Sequence, residues 1–115
     1  MTLNYRDGGL FVDADSEDQI LDLLKRHFQA GDEFGRIEVP GFEVRVGRNQ
    51  LKFRGKQPAS FVDWEVMVDV YADERISNRQ IVRFVGELME FLRASGHRVV
   101  AEADFEAELP PSDWP

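Results

Sequence analysis

One segment of the chain, Phe61 to Asp73, alternates apolar and polar residues over almost its whole length. Successive side chains on a strand point to opposite faces, so one face receives Val62, Trp64, Val66, Val68, Val70 and Ala72. The other face receives Asp63, Glu65, Met67, Asp69 and Tyr71. β-Branched and aromatic residues also favour extended structure. The segment therefore predicts a long strand with one buried face and one wet face.

Two segments predict helices, and both have recognisable ends. Ser16 and Ser77 each precede a glutamine by three residues, which is the spacing of a capping box. Apolar residues then recur at helical intervals in both segments. Gly31 and Gly96 follow these runs, and glycine tolerates the left-handed conformation that ends many helices. We predict helices over 16–30 and 77–95.

Shorter apolar or alternating runs predict the remaining strands, which are Leu10–Val12, Arg36–Val39, Phe42–Val46, Gln50–Arg54 and a last strand from Arg98 to about Leu109. Pro40-Gly41 and Gly47-Arg48-Asn49 separate the three middle runs, and these residue types favour turns. The middle of the chain therefore predicts a β-meander.

The order of these elements predicts an α+β fold, a ferredoxin-like sandwich with two helices on one face of an antiparallel sheet and an extra hairpin in the middle. The first strand should lie between the last strand and the long one. The topology depends on Pro40-Gly41 forming a true turn, since a bulge there would reverse the direction of the strands that follow. At 115 residues the chain predicts one domain over 1–115, with 110–115 as a flexible tail.

Few residues of the chain are suited to catalysis or to holding a cofactor. There are no cysteines, and the nucleophile elbow, the Walker loop and the dinucleotide-binding motif do not occur. His27 and His97 have no second ligand nearby in the sequence. The acids between Asp13 and Asp22 suit a helix start better than a metal site. We therefore predict a protein that is not an enzyme and needs no cofactor or metal.

The charge of the chain indicates its class of partner. Twenty-two acids against 14 bases give a net charge of −8, which repels nucleic acid and anionic membranes and favours a basic partner. The polar start of the chain differs from a signal peptide, and no stretch of 18 apolar residues occurs. We expect a cytoplasmic protein with no nucleic-acid or membrane partner.

Acidic residues gather on the predicted open face of the sheet. The candidate partner-binding residues share this face on the long strand and the last strand, and they are Asp63, Glu65, Asp69, Tyr71, Glu102, Asp104 and Glu106. Clustered carboxylates attract basic partners, but a solvated sheet face is also polar. Residues 36–56 carry six bases against two acids. They predict a basic edge that pairs with some of these carboxylates.

The run from Ala103 to Pro110, preceded by a helix ending at Gly96, resembles the end of small uncharacterised bacterial proteins that close with Asp-Phe-Glu-x-Glu-Leu-Pro. That resemblance implies no activity. In size, acidity and lack of cysteine the chain is also similar to immunity proteins, a class that neutralises basic toxin domains.

These observations predict a non-enzymatic acidic protein that binds a basic protein, such as a toxin. Two alternatives stay open at this point. One is a regulatory domain that binds a small molecule or a metal, and the other is a homodimer whose sheets or edges pair.

Overall fold

The computed structural model describes residues 2–49 and 64–111. In these ranges the elements follow one another as β1 (Asp7–Val12), α1 (Glu17–Phe28), β2 (Arg36–Val39), β3 (Phe42–Arg48), β4 (Val66–Ala72), α2 (Asn78–Ala94) and β5 (Val99–Glu102), with a short 3-10 helix at Glu106–Glu108. The strands form one antiparallel sheet in the order β2-β3-β4-β1-β5. The α+β class and the position of the first strand are thus confirmed.

Both helices begin at the predicted serines. Ser77 forms a complete capping box, since its side chain accepts from the Gln80 N–H at 3.2 Å and its own N–H donates to the Gln80 side chain at 2.9 Å. Ser16 accepts from the Gln19 N–H at 3.3 Å. α1 ends earlier than predicted, because Gln29 takes the left-handed conformation with φ of 52° before Gly31 is reached.

One face of the sheet and both helices bury a common core. Alternate residues of the strands, among them Leu10, Val12, Val66 and Val68, join helix residues such as Leu24 and Leu88 in a single cluster. Fully burying an aliphatic side chain stabilises a fold by about 1.5 to 3 kcal/mol. In β4 the buried residues alternate with less buried ones, so the alternation predicted for the long strand is present over Val66–Ala72.

The two predicted turns have different outcomes. Pro40-Gly41 is a true turn, because Val39 pairs with Phe42 across it and Gly41 has φ of 86°. The turn predicted at Gly47-Arg48-Asn49 is wrong, since β3 continues to Arg48, which pairs with Val66. The strand predicted at Gln50–Arg54 lies outside the described residues.

The last strand is shorter than predicted, ending at Glu102 rather than near Leu109. The chain then turns into the 3-10 helix, which begins after Phe105. Phe105 and Leu109 are both buried, and a helical turn brings residues four apart to one side. Alternation predicted Phe105 correctly as buried but placed Asp104 and Glu106 wrongly on a strand.

Candidate functional site

The open face of the sheet lies opposite the helices and has an apolar end and an acidic end. At the apolar end Phe11, Trp64 and Val100 are buried together, with Met67 packed against them. The Arg98 guanidinium carbon lies 4.9 Å from the centroid of the Trp64 ring. The prediction of a uniformly wet face is therefore wrong at this end. The placement of Trp64 on the buried face is wrong too, because β4 begins only at Val66 and the alternation of the strand does not extend back to Trp64.

At the acidic end, three neighbouring strands place a glycine between two carboxylate residues, one on each side. Gly9 of β1 pairs with Asp69 of β4 on one side and with Glu102 of β5 on the other. A Cβ atom at Gly9 would lie 2.6 Å from Met67 Cε and 3.2 Å from Asp69 Oδ1. The side-chain ends of Met67 and Asp69 thus lie over Gly9. Because Gly9 has no side chain, it forms a low floor between the carboxylates of Asp69 and Glu102.

A concavity of about 450 Å³ opens above this floor. We call it the acidic concavity, and it is lined by Asp7, Gly8, Gly9, Met67, Asp69, Tyr71, Glu102, Ala103, Asp104 and Glu106. Five of these residues carry carboxylates, and no lysine or arginine is among the described residues that line it. Such an arrangement concentrates negative potential at one place on the surface.

Asp69 shows the electrostatic consequence of this crowding. Burial raises the pKa of its carboxyl; the Arg45 guanidinium opposes the rise, and the charges of Asp7 and Glu102 add to it. The ionised form of Asp69 is thus less stable than that of an exposed aspartate. A cation that entered the acidic concavity would relieve it.

The structure brings together five of the seven predicted site residues, which are Asp69, Tyr71, Glu102, Asp104 and Glu106. Asp104 and Glu106 reach the acidic concavity through the turn after β5 rather than by strand alternation. The turn is tied to the start of the chain, since the Asn4 N–H donates to Asp104 Oδ2 at 2.8 Å.

Of the other two predicted residues, the structure describes Glu65, which does not line the acidic concavity. Glu65 precedes β4 and forms an ion pair with Arg48, with 3.2 Å between Oε2 and Nε. This pair fulfils the expectation that the basic edge would neutralise acids of the long strand. Asp63 lies outside the described residues.

Asp7 is a member of the acidic concavity that sequence reasoning missed. The first strand was expected to begin at Leu10, whereas β1 begins at Asp7. The alternation of Asp7, Gly9 and Phe11 was the available signal, but two consecutive glycines concealed it because glycine is uncommon in strands.

The basic edge meets the acidic concavity at Arg45. Its guanidinium carbon lies 4.8 Å from the centroid of the Tyr71 ring, and its Nε donates to Glu43 Oε2 at 2.5 Å. Arg45 also lies directly opposite Asp69 in the register of β3 and β4. The described part of the basic edge is therefore largely engaged with acids of the same chain.

The described residues also bear on metal binding and on the surroundings of the two histidines. They contain no group of three or more His, Cys, Asp or Glu side chains that could hold a metal ion. The His27 ring stacks on Phe91 with 4.0 Å between centroids, and His97 Nδ1 lies 3.1 Å from the Asp13 carbonyl oxygen. In residues 2–49 and 64–111 no helix has the length and apolarity needed to cross a membrane.

Comparisons of the chain with models of protein families, with curated proteins and with solved structures gave no match. What can be inferred about function therefore comes from the acidic concavity and its surroundings.

Proposed function

We propose that this chain is a non-enzymatic interaction protein that binds a basic protein partner through the acidic concavity. The observation that carries the proposal is the group of five carboxylates around one concavity of about 450 Å³ without a lining cation among the described residues. The contacts would be Asp69, Tyr71, Glu102, Asp104 and Glu106, together with Asp7. Asp63 and Glu65 stay candidate contacts of the same proposal.

The geometry suits a lysine or arginine side chain of the partner. Gly9 leaves the floor low between Asp69 and Glu102, so a long cationic side chain has carboxylates on both sides. Charge-assisted hydrogen bonds of this kind are among the stronger polar contacts in proteins. The net charge of −8 would also accelerate the encounter with a basic partner.

The connectivity supports a ferredoxin-like plan as the finer description of the fold. β1, α1, β3, β4, α2 and β5 follow the βαββαβ order, and β2 adds an edge strand before β3. The resemblance to immunity proteins extends the proposal to a specific partner class, a basic toxin domain, met in the cytoplasm.

A capture experiment with matched charge variants tests the proposal. The site variant carries Asp69→Asn, Glu102→Gln and Glu106→Gln. The control carries Glu74→Gln, Glu87→Gln and Glu90→Gln, which removes the same charge from exposed positions on and just before α2. Each protein, immobilised, is exposed to lysate of the source cell at low and high salt.

We expect the wild type and the control to retain one basic protein that the site variant loses and that high salt releases. Equal retention by all three proteins would show that the acidic concavity is not the binding site. Recovery of no basic protein by the wild type at low salt would count against the proposal as a whole.

A further inference from the structure

A second surface feature lies in the loop between α1 and β2, where Phe34 is fully exposed, with a relative accessibility of 101%. Its φ is 52°, and that of Gly35 is 83°. Two consecutive positive φ values are typical of a type I′ turn, which asparagine, aspartate and glycine normally occupy. A bulky side chain in this conformation is an outlier. Strained residues of this kind recur at functional sites, so the position of Phe34 calls for an explanation.

The turn that carries Phe34 is firmly held. Glu33 and Arg36 exchange backbone hydrogen bonds of 2.9 and 3.0 Å, and the Gly35 N–H donates to Asp32 Oδ2 at 3.0 Å. Lys25 fixes that carboxylate in turn, with 2.9 Å between Nζ and Oδ1. The Phe34 ring is therefore presented from a preorganised loop, which reduces the entropy lost when it makes a contact.

A depression of about 500 Å³ lies directly beside the ring, lined by Glu33, Phe34, Arg36, Arg45, Val46, Gly47 and Asp69. Gly47 has no side chain, and a Cβ there would meet no atom of the described chain within 4 Å. Projecting ring and open depression thus form one patch, which we call the Phe34 patch.

The charges of the Phe34 patch cancel. Its two acids, Glu33 and Asp69, are balanced by its two bases, Arg36 and Arg45, whereas the whole chain carries −8. Two copies of a strongly acidic chain repel each other over most of their surfaces. At the Phe34 patch the local repulsion is smaller, because the charges of the patch itself balance.

We propose that the Phe34 patch is a self-association surface whose occupant is a second copy of this chain. In a twofold dimer the same patch faces itself, so each Phe34 ring enters the depression of the other copy. There the ring meets Arg36 and Arg45, whose guanidinium groups favour aromatic faces. Because the patch is small, the dimer is weak and depends on concentration. The inference concerns a different surface from the acidic concavity, although Asp69 borders both.

Sedimentation velocity of the purified chain tests the inference, from about 10 µM to about 1 mM, the range in which weak dimers form. Phe34→Asn removes the ring and retains a residue suited to the turn. Leu3→Asn is the control, because Leu3 is also exposed and apolar but lies in the N-terminal segment. We expect the wild type and L3N to dimerise at the upper end, and F34N to associate at least about tenfold more weakly.

Concentration-dependent amide shifts in the wild type should also be confined to residues 33–36, 45–47 and Asp69. A wild type that stays monomeric throughout would overturn the inference, and so would F34N dimerising as the wild type does. If the wild type is monomeric and F34N loses the basic partner in the capture experiment, the ring belongs to the partner interface instead. A variant with only Glu102→Gln and Glu106→Gln distinguishes failure of the two proposals, since it neutralises acids of the acidic concavity and leaves both Phe34 and Asp69 unchanged.

Discussion

At Gly9 and at Gly35 an added Cβ atom would come equally close to another atom, but the two substitutions should differ in their effect on stability. A Cβ at either position would lie 2.6 Å from another atom. At Gly9 that atom is the terminal methyl of Met67, which can move aside. At Gly35 it is the Val46 carbonyl oxygen of the backbone, and φ is 83°.

We therefore expect Gly35→Ala to lower the free energy of unfolding by about 2 kcal/mol, because of left-handed strain and overpacking. Gly9→Ala should change it by less than about 1 kcal/mol, since Met67 can repack. Urea unfolding of both variants measures the difference. A Gly9→Ala variant that is the less stable of the two would show that the Met67 side chain is rigidly held above the floor of the acidic concavity.

Asp69 and Asp32 respond to pH in opposite directions. The folded-state pKa of Asp69 is raised from 3.8 by burial, so the folded protein binds that proton more tightly than the unfolded chain does. Its favourable contribution is present below pH 3.8 and is lost as the pH rises through the folded-state pKa. The Gly35 N–H and Lys25 lower the pKa of Asp32, so its contribution is present above 3.8 and is lost as the pH falls.

Unfolding free energies between about pH 2.5 and pH 7 test this pair of carboxyls. Asp69→Asn should gain stability relative to the wild type as the pH rises through the titration of Asp69. Asp32→Asn should be less stable than the wild type near neutral pH, and this deficit should shrink as the pH falls and the wild-type Asp32 carboxylate is protonated. Parallel curves for Asp69→Asn and the wild type would mean that the Asp69 carboxyl is as well solvated in the fold as in the unfolded chain.

Among the elements, those with two independent signals were predicted best. α2 has both a capping box and a terminal glycine, and β4 alternates because helices cover only one of its faces. Local signals failed where long-range pairing decides the outcome. β3 runs straight through Gly47 because Val66 to Ala72 supplies a full partner strand. β5 stops at Glu102 although alternation continues, since its last partner is Gly9.

For the same reason, alternation predicted only part of the acidic concavity. It correctly placed Asp69 and Tyr71 on the open face, since β4 is paired on both sides. It brought in Asp104 and Glu106 for the wrong reason, because both follow the end of β5. Asp7 could not be found from local hydrophobicity, since its place in β1 depends on pairing with Tyr71.

The 3-10 helix is an element whose docking depends on one ring. Phe105 is 1% exposed and stacks on Tyr5 with 5.1 Å between centroids. Tyr5 in turn donates a hydrogen bond to Glu108. Phe105→Ala should lower the free energy of unfolding by about 3 to 5 kcal/mol and should speed amide hydrogen exchange over residues 103–109. The exposed Ala107→Ser change in the same element is the control, and equal effects would show that Phe105 does not anchor the segment.

In the whole molecule, the two faces of the sheet have separate tasks. The helix-covered face holds the main core, and the open face carries a small apolar cluster beside the acidic concavity. Because the main core lies on the helix-covered side, acids of the acidic concavity can be exchanged without disturbing that core. Charge variants of the acidic concavity therefore measure how much its carboxylates lower the free energy of unfolding.

If the carboxylates of the acidic concavity repel one another, neutralising them should stabilise the protein. We expect Asp69→Asn with Glu102→Gln and Glu106→Gln to raise the free energy of unfolding by about 0.5 to 1 kcal/mol at about 0.01 M salt. Near 1 M salt the gain should shrink, because the screening length falls to about 3 Å. The variant with Glu74, Glu87 and Glu90 changed to Gln should gain less, since those acids are spread over an exposed surface.

Equal gains would identify the acidic concavity as an ordinary solvated face. A larger gain at the concavity means that its acids are held together against their own repulsion, as groups at functional sites often are.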